Sequence, residues 1–168
     1  MPGVMQIRRT SVCAILLMLG FVGSDANAGE EEQQRPFPHH ALAVFVGGNY
    51  ERDDQGHEEN GHALGVFYEF RFREKWGIGA AIEQLYSDNH RRARAFAIPV
   101  SYHVNEKWRF FAGPGLETGQ EDNYFLRVGI SREFELDEHW SAAPEFVVDF
   151  IEGGAQTYVL GIAIGYIF

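Results

Sequence analysis

The chain has 168 residues, 45% of them apolar and 14% aromatic, with 19 glycines, one cysteine and a formal net charge of −10. That is one domain's length of chain, too apolar for a disordered segment. A pI near 5.1 excludes a general nucleic-acid binder, which needs a basic face, and a mean hydropathy of −0.24 excludes a helical membrane protein for the body of the chain.

Residues 1–28 read as a secretory signal peptide. Arg8 and Arg9 supply the positive region, Ser11 to Val22 the apolar core and Ala26-Asn27-Ala28 a small-x-small site, with cleavage expected after Ala28. Cleavage removes Arg8, Arg9, Asp25 and the single cysteine, Cys13, leaving a net charge of −11. Disulfides, cysteine-held metals and thiol catalysis are then excluded from the exported protein. Residues 29–40 form a tail, and 41–168 the folded body.

The body divides into eight alternating segments, at 41–50, 61–72, 76–86, 93–103, 108–118, 124–134, 140–150 and 157–168. Each has about the nine to eleven residues of a tilted strand crossing a bilayer. Three connections echo one another: Arg73-Glu74-Lys75-Trp76, Asn105-Glu106-Lys107-Trp108 and Asp137-Glu138-His139-Trp140. Their tryptophans are 32 residues apart each time. That spacing suits two strands, a tight turn and a longer loop.

In every segment the larger apolar side chains fall on even-numbered positions, as in Tyr158, Leu160, Ile162, Ile164, Tyr166 and Phe168. Shared parity lets eight strands present one continuous apolar surface. The odd-numbered set reads as small or charged: Gly77, Gly79, Ala81, Gly113, Gly115, Gly161 and Gly165 with Glu69, Arg71, Glu83, His103, Arg109, Glu117, Arg127, Glu145 and Asp149. An eight-stranded barrel has an interior only just wide enough for side chains. The large apolar set would overfill it, so that set points outward, where only lipid makes it favourable. A closed barrel also leaves no strand edge unpaired in hydrocarbon. The charged set then forms a network that fills the lumen, and must pair to be tolerated there.

Trp76, Trp108 and Trp140 sit at strand starts beside short turns, with Phe72, Tyr102, Phe134 and Phe168 at facing strand ends, as an interfacial girdle requires. Tyr50, Tyr86, Tyr124, Tyr158 and the more central Tyr68 are candidates for the opposite girdle.

The signal peptide, the eight alternating strands, the alternation of short and long connections and the terminal aromatic together resemble the small outer-membrane β-barrels, the class of the transmembrane domain of outer-membrane protein A and of OmpX. Tyr166-Ile167-Phe168 is similar to that family's assembly signal, read by the barrel-insertion machinery, although Ala163 stands where the signal usually has glycine. The resemblance implies a monomeric, eight-stranded, antiparallel up-and-down barrel in the outer membrane. Both chain ends and the Trp-bearing turns would then be periplasmic.

Pro99, Pro114 and Pro144 fall inside strands, where each removes a ladder donor. A bulge is expected at Gly113-Pro114-Gly115, with register shifts near the other two. The outward loops are read as Glu51 to Asn60, with Glu51, Asp53, Asp54, Glu58 and Glu59, and Ser87 to Arg94, with Arg91, Arg92 and Arg94. Those arginines suit lipopolysaccharide phosphates, and the acidic loop could share divalent cations; two solvated loops is the plainer account.

His39, His40, His57, His62 and His90 lack a fixed ligand spacing, so no metal is expected, nor any other cofactor. Outer-membrane lipid A deacylases, themselves eight-stranded barrels, use a His-x-Ser pair with an acidic partner. Its one match here, His139-Trp140-Ser141, sits in a turn at the wrong end for outer-leaflet lipid and lacks the following asparagine. No catalytic centre is expected. The resulting reading is a barrel with a plugged lumen and a structural, envelope-integrity or surface-interaction role. The alternatives are a lipid A deacylase-like enzyme, a narrow channel and a secreted lipocalin-like carrier.

Overall fold

The computed structural model describes residues 39–52, 55–87, 92–119 and 122–168. The expected signal peptide, residues 29–38 of the expected tail, Asp53, Asp54, His90 and Arg91 lie outside the described residues. The strands are β1 (His40–Arg52), β2 (Glu58–Arg73), β3 (Trp76–Ser87), β4 (Arg92–Ala97), β5 (Val100–His103), β6 (Trp108–Thr118), β7 (Asn123–Arg132), β8 (Phe134–Glu135), β9 (Trp140–Ile151) and β10 (Gln156–Ile167). They make eight staves. β4 and β5 are one stave interrupted at Ile98-Pro99, and β8 continues β7 beyond Glu133 with the same register against β9. Each stave pairs antiparallel with its sequence neighbours, and β10 closes on β1 from Ala41↔Ile167 to Arg52↔Gln156. The result is an all-β, closed, up-and-down barrel.

The stagger is legible from the pairing. Partners traced from Leu42 run through Tyr68, Ala80, Ile98, Pro114, Leu126, Phe150 and Gln156, and return to β1 at Arg52, ten residues along. Eight strands with that offset are inclined at about 35–45° to the barrel axis.

Within the staves, even positions pair with even and odd with odd, so parity decides the face all round the wall. Among the described residues, every large apolar side chain left exposed has an even number, from Leu42 to Phe168, and every buried residue, apolar or charged, has an odd one. An apolar outer wall of that extent is favourable only against hydrocarbon.

The inner wall departs from the expectation of small or charged residues. Phe45, Phe67, Phe111 and Phe125 also point inward. Each ring occupies the space a missing side chain leaves: Phe45 against Gly47 and Gly161, Phe67 against Gly79, Phe111 against Gly129 and Phe125 against Gly115. A Cβ added at any of these glycines would meet the ring within 2.8 Å. The lumen takes four large rings because the glycines make room, an arrangement that pins register as well.

The prolines also behave differently from expectation. There is no bulge at Gly113-Pro114-Gly115 and no register shift at Pro99 or Pro144. An antiparallel hydrogen-bonded pair exchanges two bonds, and proline can lose one and keep the other. The Pro99 carbonyl still accepts from Gly79 N at 2.8 Å, and the Pro114 carbonyl from Ile98 N at 3.0 Å. Of the three proline-bearing staves, only the one carrying Pro99 is interrupted. The described register shift lies instead between Arg71 and Arg73, at the first Trp-bearing turn.

The other two Trp-bearing turns share one device. Asn105 Oδ1 accepts from the backbone N–H groups of Lys107 and Trp108, at 3.0 and 2.9 Å, and Asp137 Oδ1 from those of His139 and Trp140, at 2.8 and 2.9 Å. Arg73 cannot cap in this way. In all three turns the carbonyl of the residue before Trp accepts from the adjoining strand: Lys75 from His103 N, Lys107 from Glu133 N and His139 from Ile167 N. The 32-residue spacing is therefore a hairpin period.

At the opposite end the hairpins are longer ladders than expected. β1 runs to Arg52 and β2 starts at Glu58, while β3 runs to Ser87 and β4 starts at Arg92. Glu51, Glu58, Glu59, Arg92 and Arg94 therefore stand on strands, because backbone pairing continues past the apolar belt.

Candidate functional site

The lumen gathers eight of the nine expected charged residues into two clusters. In the lower one, toward the Trp-bearing turns, Glu69 is the hub and only 1% exposed. Ser101 Oγ donates to its Oε1 at 2.9 Å, His103 Nε2 lies 2.6 Å from the same oxygen, and Arg109 Nη1 donates to Oε2 at 2.9 Å. Arg109 also donates from Nη2 to Glu145 at 3.0 Å and from Nε to Ser131 at 3.0 Å. Arg71 is ion-paired with Glu69 at 3.5 Å and with Glu133 at 3.7 Å. Gly77 lets Glu69 in: a Cβ there would lie 2.4 Å from its carboxylate.

In the upper cluster Arg127, 2% exposed, is gripped from two sides. Its Nε and Nη2 fork onto the two oxygens of Asp149 at 2.8 and 2.7 Å, while Nη1 and Nη2 reach the two oxygens of Glu83. Planar guanidinium geometry is what makes a double fork possible. The inward rings separate and floor the clusters. Arg109 sits 4.8 Å over Phe67 and 5.1 Å over Phe111, and Arg127 sits 5.3 Å over Phe125. Between the clusters only about 20 Å³ is open, room for about one water.

Glu117 joins neither cluster and lines a larger cavity at the upper mouth. Sequence reading missed Glu133, Ser101 and Ser131. Their odd numbers were the available signal, although hydroxyls gave no charge pattern to draw attention.

The girdle residues face outward at the turn end. Trp76 packs on Tyr102 at 4.9 Å and Trp140 on Tyr166 at 5.1 Å, while Arg132 spans Trp108 and Phe134 at 5.5 and 5.0 Å. Tyr68 belongs to this half and not to the opposite girdle. It pairs with Leu42, and its hydroxyl lies 2.7 Å from His40 Nδ1, which satisfies it. His40 stacks on Phe168 at 5.5 Å, and Tyr166 on Phe168 at 6.1 Å, so the residues expected to form the assembly signal sit at the β1–β10 seam. At the other end Tyr50 and Tyr158 pair at 6.0 Å.

Of the candidate phosphate-binding arginines, Arg91 lies outside the described residues. Arg92 and Arg94 stand at even positions, Arg92 over the Tyr86 ring at 5.7 Å and Arg94 donating to Gln84 at 3.3 Å. The His139 ring stacks on Tyr166, and Ser141 is buried against Gly165 in the lumen wall. His39 lies in the turn end with Nδ1 3.3 Å from the Arg71 carbonyl.

No protein-family model matches the chain, and no curated protein matches it. Solved structures do. Neisserial surface protein A aligns with a TM-score of 0.63 at 6% identity over 77% of this chain and 97% of that one. Ail, the attachment invasion locus protein of Yersinia pestis, aligns at 0.56 and 12% identity over 78% and 99%. The N-terminal β-barrel domain of Pseudomonas aeruginosa OprF aligns at 0.52 and 11% over 77% and 98%. At such identities the likeness is one of architecture, and it agrees with the pairing and parity above: this chain has the fold of the small eight-stranded outer-membrane β-barrels.

Proposed function

We propose that the protein is an integral outer-membrane barrel with a structural, envelope-integrity or surface-interaction role, exported by its signal peptide and inserted by the barrel-assembly machinery. The observation that carries this is the division of the wall: exposed aliphatic and aromatic side chains on even positions, buried ion pairs on odd ones. The two clusters and the ring layer, with about 20 Å³ open between them among the described residues, support a plugged lumen. Arg92 and Arg94, on β4 at the end opposite the Trp-bearing turns, support contact with lipopolysaccharide phosphates. Membrane fractionation with boiled and unboiled electrophoresis tests the location; a protein that stays in the soluble fraction without heat-modifiable migration rejects it. Planar-bilayer recording tests the plug, and discrete current steps would reject it.

A surface-interaction role takes support from Ail, an attachment protein that has been solved with the heparin analogue sucrose octasulfate. The ligand type does not transfer readily. Among the described residues the mouth here presents Glu51, Glu59 and Glu117 with Arg92, a lining that repels a polysulfated sugar.

A further inference from the structure

The two halves of the stave made by β4 and β5 meet at Ile98-Pro99, and β5, at four residues, is the shortest segment of the wall paired on both sides. In an unbroken antiparallel wall Gly79 and Pro99 would exchange two hydrogen bonds, as would Ile98 and Pro114. Gly79 N donates to the Pro99 carbonyl and Ile98 N to the Pro114 carbonyl, but neither proline has an N–H to return. The carbonyls of Gly79 and Ile98 thus lose their ladder donors at one level, on the two flanks of the same stave. Gly113, with no side chain, lets the Ile98 carbonyl and the Pro99 Cα lie close against its backbone.

A second observation concerns what holds β5 below that break. Ser101 and His103, on its inner face, both meet Glu69 Oε1, at 2.9 and 2.6 Å. Glu69 stands on β2, and β3 lies between β2 and β5. The carboxylate reaches across β3 over Gly77, where a side chain would collide with both Glu69 and the Ser101 hydroxyl. The inner face of β4 offers nothing comparable: it presents Ala93, Ala95 and Ala97, which have no polar group to tie. The two halves also differ in what opening would expose. Behind β4 water would meet alanines. Behind β5 it would meet Ser101, His103, Glu69 and Arg109, all of which it can solvate.

We propose that β5 is a hinged flap in the wall, swinging at Ile98-Pro99 and latched by Ser101 and His103 on Glu69. Opening it breaks the few rungs of a four-residue segment, and low-cost local openings of this kind are drawn from segments with little pairing to lose. The lower cluster then meets water from the end carrying the Trp-bearing turns. The Arg127 fork, on Glu83 of β3 and Asp149 of β9, stays shut. The flap goes beyond the envelope role and does not rest on it, since it belongs to the isolated barrel.

The test is residue-resolved amide hydrogen exchange by NMR on the barrel refolded in zwitterionic detergent, with heat-modifiable migration confirming that each variant is folded. In the wild type the amides of Ser101, Tyr102 and His103 should exchange about tenfold faster than those of Ala95 and Phe96 in β4 or Val128 in β7. Ser101→Ala and Glu69→Gln loosen the latch and should speed β5 by about a further tenfold, leaving β4 and β7 unchanged. Pro99→Ala returns a donor to the Gly79 carbonyl and should slow β5 toward the rate of β4. Ser141→Ala, at a buried serine of β9 outside the latch, should leave β5 unaffected. Should Glu69→Gln fail to fold, Ser101→Ala still decides the matter. Wild-type exchange in β5 no faster than in β4, equal acceleration of all strands in folded Ser101→Ala, or an unchanged β5 in Pro99→Ala would each overturn the proposal.

Discussion

The two ion clusters of the lumen are built in opposite senses. Around Glu69 one carboxylate collects donors from Ser101, His103, Arg109 and Arg71, and Arg109 has further partners in Glu145 and Ser131. Around Arg127 one guanidinium holds two carboxylates that would otherwise face each other. The first is redundant: losing one partner leaves others. The second depends on a single side chain. Buried charges are thus tolerated in two ways, by spreading the load or by a geometrically demanding double fork.

The largest effect that would break this contrast is expected from Arg127→Met. It leaves Glu83 and Asp149 unpaired and buried, and should cost about 3–5 kcal/mol, read as a lowered urea midpoint for refolding into micelles. A loss no larger than that of a surface change would mean that the fork is dispensable. Next comes the outer wall beside the same cluster. Leu126→Arg, one residue away but on the opposite face, should cost about 2–4 kcal/mol near the bilayer midplane. If Leu126→Arg were harmless in the same assay, the division between the two faces of β7 would be wrong.

Glu69→Gln should cost less, about 1–3 kcal/mol, because the amide oxygen keeps an acceptor for Ser101 or Arg109 and Glu145 retains Arg109. A cost equal to that of Arg127→Met would remove the claim of redundancy. The smallest effect lies outside the lumen, at Asp137. The N–H groups of His139 and Trp140 hold its carboxyl below the usual aspartate value. That stabilisation is complete above the unfolded value of about 3.9 and is lost as pH falls through the lower folded value. The difference between wild type and Asp137→Ala should therefore be present at neutral pH and shrink in acid, as refolding midpoints at the two pH values would report.

Most of the wall was legible in the sequence because alternation and closure leave little choice. Once Leu64, Val66, Phe70 and Phe72 share parity with Leu160, Ile162 and Ile164, an eight-stranded interior cannot hold them. The partners of Glu69, Arg109 and Arg127 were legible only as a set. Which carboxylate meets which guanidinium depends on stagger round the barrel, and that is fixed by all the ladders together. The inward rings were missed for a related reason: Phe111 fits only because Gly129 is its cross-strand neighbour, a fact of register and not of local pattern. Pro99 and Pro114 misled because a strand proline was read as a lost rung, when half of each rung survives in the carbonyl.

The parity of the wall has a consequence for how such a chain can change its length. Inserting one residue within a stave would transpose everything up to the next turn, sending Arg127 or Asp149 into the acyl chains and Leu126 or Phe150 into the middle. Two inserted residues would restore the faces but displace each ring from its glycine. Growth and shrinkage are therefore confined to the connections between hairpins, where an odd count does no harm, and the staves must evolve by exchange of one side chain for another.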